Sequence, residues 1–118
     1  MKNQIIDRTK QFGIDCWQFC FKVPKSREYN AFVNQLIRSS SSVGANYRAS
    51  QRAKSTADFI NKLKIVEEEV DESIYWLEIF EEILQDNKDE ILKLQKEGSE
   101  LLAITVASIN TAKRNIKK

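Results

Sequence analysis

The stretch Ser55–Leu84, STADFINKLKIVEEEVDESIYWLEIFEEIL, decides the fold. Within it Phe59, Leu63, Val66, Val70, Ile74, Leu77, Phe80 and Leu84 recur at steps of four and three. At ~100° per residue, that spacing gathers apolar side chains on one face of an α-helix. A half-buried strand would instead alternate with period two. Ser55 followed by Asp58 resembles a helix N-cap with an acid at the third helical position. Asp86 and Asn87 break the pattern, so a helix is expected over about 56–85.

The same steps continue on both sides. Upstream, Tyr29, Val33, Leu36, Ser40, Val43, Tyr47 and Ser50 predict a helix over about 28–51. Ser39 to Ser42 read as loop on propensity alone. The seam keeps one register across them, so the helix is retained. Ile5, Thr9, Phe12, Cys16, Phe19 and Val23 predict a first helix over about 2–23. Pro24 ends it, because proline has no amide hydrogen and disfavours helix in the preceding residue. Downstream, Leu94, Gly98, Leu102, Thr105, Ile109, Ala112 and Ile116 predict a fourth helix over about 88–115, with Lys113, Arg114, Lys117 and Lys118 suited to the dipole at its C-terminus. Helices of similar length joined by short links give an all-α, antiparallel up-down-up-down four-helix bundle, one domain over 1–118.

Composition excludes several classes. A hydrophobic fraction of 42% beside 31% charged residues is globular rather than disordered. Gly 3 and Pro 1 are too few for a turn-rich β fold. No apolar run approaches the ~18 residues of a membrane span. The first eleven residues lack the apolar core of a signal peptide, so a cytoplasmic protein with no membrane role is expected. Cys16 and Cys20 lie on neighbouring turns of one helix with poor disulfide geometry, and read as reduced packing residues.

Two helices carry a second apolar stripe. Ile6, Ile14, Trp17 and Phe21 form one, and Ile65, Trp76, Ile79 and Ile83 the other. Monomers seldom leave that much aromatic surface in water. These residues are therefore candidates for a homo-oligomer interface. The other reading is a broad core face.

Sites for catalysis are scarce. The chain has no His, which removes Ser-His and Cys-His nucleophile pairs. Glu67, Glu68, Glu69, Asp71 and Glu72 suggest carboxylate metal chemistry, but bundle di-metal sites use Glu-x-x-His pairs aimed inward. Val66 and Val70 hold the seam positions here, so most of these acids face outward. No enzyme, cofactor or metal site is expected.

Charge is uneven along the chain. From 36 to 64, Arg38, Arg48, Arg52, Lys54, Lys62 and Lys64 stand against Asp58 alone, whereas 65 to 90 hold eleven acids against Lys88. The basic group is a candidate nucleic-acid surface acting on backbone phosphates, with Tyr47 available to stack on a base. The other reading, which the residues alone favour, is a solvated face that pairs with acids of a neighbouring subunit.

Three segments carry a family resemblance: RSSSSVGANYRA (38–49), RAKSTADFINKLKIVEEEVDESIYWLE (52–78) and LLAITVASINTAKRN (101–115). Together they resemble the four-helix bundle proteins encoded in intervening sequences of bacterial 23S ribosomal RNA genes. Lys64, where glycine is expected, and Gln51 depart from the pattern without breaking the helical register. The resemblance implies a ring-like homopentamer. It also points to the accessory variability determinant of diversity-generating retroelements, a basic relative that binds nucleic acid and a reverse transcriptase. The expectation is a non-enzymatic homopentamer that binds RNA or DNA, structured RNA foremost, through Arg38, Arg48, Arg52 and Lys54. The alternative is a protein-interaction scaffold that presents its acidic third helix to a partner.

Overall fold

The computed structural model describes residues 3–116, which form α1 (Gln4–Cys20), α2 (Arg27–Ser50), α3 (Thr56–Ile83) and α4 (Lys88–Ile116). Lys117 and Lys118, expected at the C-terminal dipole, lie outside the described residues. Side chains set three of the helix starts by accepting an early amide hydrogen: Asn3 Oδ1 from Ile5 (3.0 Å), Ser26 Oγ from Tyr29 (3.1 Å) and Ser55 Oγ from Asp58 (3.1 Å). Before α4, Asn87 sits at φ 65°, a left-handed conformation that asparagine tolerates.

Two helix ends fall short of the sequence expectation. α1 stops at Cys20 rather than near Val23. The amides of Phe21, Lys22 and Val23 bind carbonyls three residues back, at 3.1, 2.9 and 3.2 Å. The chain tightens there into the turn that precedes Pro24. α3 stops at Ile83 rather than near Gln85, and Leu84 leaves in extended conformation with its side chain still buried.

The serine run is helical throughout. Ser41 and Ser42 donate to the Arg38 carbonyl (3.1 and 2.8 Å), and Ser39 and Ser40 to carbonyls three residues back. Ser73 Oγ of α3 donates to Ser39 Oγ at 2.8 Å. The buried hydroxyls are thus satisfied, and no buried side-chain polar atom among the described residues lacks a partner.

The core joins Phe12, Cys16 and Phe19 of α1 to Leu36 and Val43 of α2, to Leu63, Val66, Val70, Leu77 and Phe80 of α3, and to Ile91 and Leu101 of α4. Each such aliphatic or Phe side chain contributes about 1.5–3 kcal/mol when fully buried. Leu101, Ile60 and Ser73 are buried, Phe59, Ile74 and Leu102 are partly buried and pack against the core, and Ile116 is exposed. An α-helix drifts by ~20° per heptad against a strict seven-residue seam, so neighbouring positions take over along long helices.

Contacting pairs fall in one helix as they rise in the next. Asn3 meets Gln51 while Gly13 meets Ser40; Ser39 meets Ser73 while Phe32 meets Phe80; Ile74 meets Gly98 while Glu81 meets Gln95. Successive helices are therefore antiparallel neighbours, and α1 and α3 occupy opposite corners. The α1–α4 edge packs least. Polar contacts bridge it, from Arg8 to Glu97 at 2.6 Å and from Lys22 to Glu90 at 2.5 Å. At the α1–α2 crossing the backbones nearly touch: a Cβ on Gly44 would lie 3.2 Å from backbone atoms of Lys10 and Thr9. The result is a rod of 51 × 25 × 21 Å with two distinct ends.

Candidate nucleic-acid interface

The last turns of α2 and the first turn of α3 build a shallow basic surface at one end of the rod. Ala45 and Ala49 form a low floor, and Arg48, Arg52, Lys54, Asp58 and Lys62 surround it. The link is a tight turn, in which the amides of Gln51, Arg52 and Ala53 bind the carbonyls of Arg48, Ala49 and Ser50 at 3.2, 3.0 and 3.2 Å. Asp58 is engaged by this local structure. Its carboxylate accepts from Lys62 Nζ at 2.7 Å and from the Lys54 amide at 3.1 Å. These two contacts, Lys62 first, hold its carboxyl below the usual range. Arg48, Arg52 and Lys54 are exposed and form no ion pair among the described residues. α4 brings exposed Lys113 and Arg114 to the same end.

The cations singled out in the sequence divide three ways. Arg48, Arg52, Lys54 and Lys62 converge. Arg38 lies farther along α2, where its guanidinium binds Glu69 (3.0 Å) and Glu72 of α3. Trp76 Nε1 donates to Glu72 at 3.0 Å. That bond, and then Arg38, hold the Glu72 carboxyl below its ordinary range. Lys64 stands apart on the α3–α4 side, beside Glu67, Glu68 and Asp71. Arg38 thus pairs with acids of its own subunit. The notion that Tyr47 stacks on a base is corrected. The ring is buried within the bundle, and its hydroxyl accepts from Asn3 Nδ2 at 3.3 Å.

The second stripes are unequal. On α1, Ile14 (38%), Trp17 (48%) and Phe21 (65%) are exposed, and the Trp17 and Phe21 rings meet edge-to-face at 4.7 Å. On α3, Ile65 and Ile83 are exposed, whereas Trp76 and Ile79 are half-buried. Trp76 packs on Phe32 of α2 at 5.5 Å. Between α1 and α2 runs a groove of about 510 Å³, walled by Ile6, Ile14, Trp17 and Ile37 over Gly13 and Gly44. The sequence signalled the α1 wall of this groove. It did not signal Ile37, which is a single apolar residue on its face of α2.

Among the described residues no group of three or more His, Cys, Asp or Glu is placed to hold a metal ion. No helix of the described residues is long and apolar enough to cross a membrane. Burial pushes the Cys16 thiol up, and the Cys20 thiol up to about 11, so both are poorly ionised at neutral pH.

Fold and surface together define a helical-bundle protein with one basic end. More particularly, the chain belongs to the 23S rRNA-intervening sequence protein family, whose model matches residues 1–107. It is similar to a crystal structure of a protein of unknown function from the S23 ribosomal protein family of Bacteroides thetaiotaomicron. That likeness has a TM-score of 0.80 and 28% identity, and covers 89% of this chain and 97% of the other. No curated protein matches it.

Proposed function

We propose that this protein is a non-catalytic, cytoplasmic homo-oligomer, a pentamer by family resemblance, that binds nucleic acid, structured RNA foremost, through its basic end. One observation carries the reading. Arg48, Arg52 and Lys54 converge on one surface and form no ion pair among the described residues, and Asp58, the acid lining that surface, is bound to Lys62 and the Lys54 amide. Unpaired cations so placed neutralise backbone phosphates and release counterions, whatever the base sequence. Repetition around an assembly multiplies a weak contact into useful avidity. The patch lacks an exposed aromatic ring, which favours backbone and shape recognition over base stacking.

The test is binding to a structured RNA across a salt series. Affinity should fall steeply with added salt, and Arg48→Glu with Arg52→Glu should weaken binding by ~tenfold or more. If no binding appears at low salt, or the double variant binds as well as the parent, the reading fails. Recovery of one protein partner without RNA would favour the scaffold alternative.

A further inference from the structure

The basic surface holds an acid, Asp58, among Arg48, Arg52, Lys54 and Lys62. A surface that only attracts phosphate gains nothing from a carboxylate, because like charges repel. A helix cap explains part of its presence. The Asp58 amide donates to Ser55 Oγ at 3.1 Å, and Asp58 Oδ2 accepts from the Lys54 amide at 3.1 Å. The other carboxylate oxygen, Oδ1, accepts from Lys62 Nζ at 2.7 Å, one turn further along α3. An ionised carboxylate only accepts, and its two oxygens offer about four lone-pair sites between them. With one donor on each oxygen, each keeps room for a second. The Asp58 side chain is 32% exposed, so that spare capacity is open to solvent. Lys62 and then the Lys54 amide hold the carboxyl below its usual range, so it is charged at neutral pH and is never itself a donor.

Nucleic acids offer few groups to such an acceptor. Phosphate oxygens repel it. Base donors are engaged in pairing or lie within the grooves. The ribose 2′-hydroxyl is different. It is a donor, it belongs to the backbone, and it lines the wide, shallow minor groove of A-form RNA. A backbone drawn onto the cations therefore carries 2′-hydroxyls close to the neighbouring carboxylate, whereas deoxyribose carries no donor there.

We infer that the basic surface selects RNA over DNA, with Arg48, Arg52 and Lys54 on backbone phosphates and Asp58 accepting a hydrogen bond from a ribose 2′-hydroxyl. This rests on the nucleic-acid reading above and adds the sugar that the surface distinguishes. On DNA the same carboxylate repels the backbone and gains no hydrogen bond in return. Asp58 is thus a specificity-determining residue: it weakens the hold on every polyanion and restores part of it to ribose alone. The low floor of Ala45 and Ala49 suits that role, because it lets a backbone approach the charged side chains.

The test compares three hairpins of one sequence, made as RNA, as DNA and as 2′-O-methyl RNA, which keeps A-form geometry without the donor. At fixed salt the full chain should bind the RNA hairpin about tenfold more tightly than either of the others. Asp58→Ala should bind all three within about twofold of one another, mainly by gaining affinity for the two that lack the hydroxyl. Ser55→Ala weakens the same helix cap but leaves the carboxylate, so it should lower the urea midpoint and retain the preference for RNA. Circular dichroism checks that each variant is helical. If none of the three hairpins binds at low salt, the nucleic-acid reading falls and this inference with it. Binding without preference in the parent, a preference that survives in Asp58→Ala, or one lost equally in Ser55→Ala keeps the nucleic-acid reading and overturns the inference.

Discussion

The Arg38 guanidinium of α2 and the Glu72 carboxylate of α3 are bound to each other across the helix pair, and Trp76 Nε1 donates to that carboxylate at 3.0 Å. A cation that looks available for phosphate is thereby neutralised within its own subunit. Arg38→Ala should leave RNA affinity within about twofold of the parent, in contrast to Arg48→Glu with Arg52→Glu. Its stability cost should be small, about 0.5–1 kcal/mol, because the guanidinium is half exposed. A filter-binding comparison and a urea titration check both statements. A large loss of affinity in Arg38→Ala would return this residue to the interface.

Acid should weaken the fold through Glu72 and Asp58. Both carboxyls are held below their unfolded values, Glu72 by Trp76 and then Arg38, Asp58 by Lys62 and then the Lys54 amide. The folded state therefore binds fewer protons than the unfolded chain as pH falls. The stabilisation is complete above the ordinary carboxylate pKa and is lost as pH drops through the folded value. Urea midpoints measured from pH 7 to pH 3 should fall across the acid limb. Glu72→Gln should flatten that limb, and an unchanged slope would count against the contact.

Gly44 and Gly98 should respond differently to alanine. Either change gains helix propensity of ~1 kcal/mol. At Gly44 the new methyl meets backbone of Lys10 and Thr9 at 3.2 Å, so the two helices must part. At Gly98 it meets the Ile74 side chain at 3.0 Å, which can turn aside. Gly44→Ala should destabilise by about 1 kcal/mol net, with overpacking exceeding the propensity gain. Gly98→Ala should be near neutral. Thermal melts of the pair decide it.

Trp17 and Trp76 should separate assembly from folding. Trp17 is 48% exposed and touches Phe21 on the outside of α1. Trp17→Glu should yield a folded monomer with an unchanged melting temperature once assembly is discounted. Trp76→Glu loses the Phe32 contact and sets a carboxylate beside Glu72, so it should also cost about 2–4 kcal/mol of subunit stability. Light scattering reads the first effect and denaturant melts of the separated monomers the second. Equal melting behaviour in the two variants would contradict the half-buried setting of Trp76.

The amphipathic spacing of each segment, the Ser55 cap and the stop at Pro24 were enough to specify helices, their order and the all-α class. Those features are local, because an apolar side chain every third or fourth residue has one face to bury whatever surrounds it. The outer stripe on α1 was legible for the same reason. So was the basic surface, as a composition, because Arg48, Arg52 and Lys54 fall within seven residues at the end of α2 and in the link that follows.

What no local pattern contained was which side chains meet across helices. Arg38 and Glu72 are separated by 34 positions. Their pairing follows from antiparallel packing of α2 on α3, not from either segment alone. The same packing buried Tyr47, drew Trp76 half inside, moved Lys64 to another face and set Ile37 beside Trp17 as a groove wall. Spacing along a helix determines the direction in which a residue points. Only the neighbouring helix, arriving at a particular height, decides whether it finds water, a counter-charge or a ring.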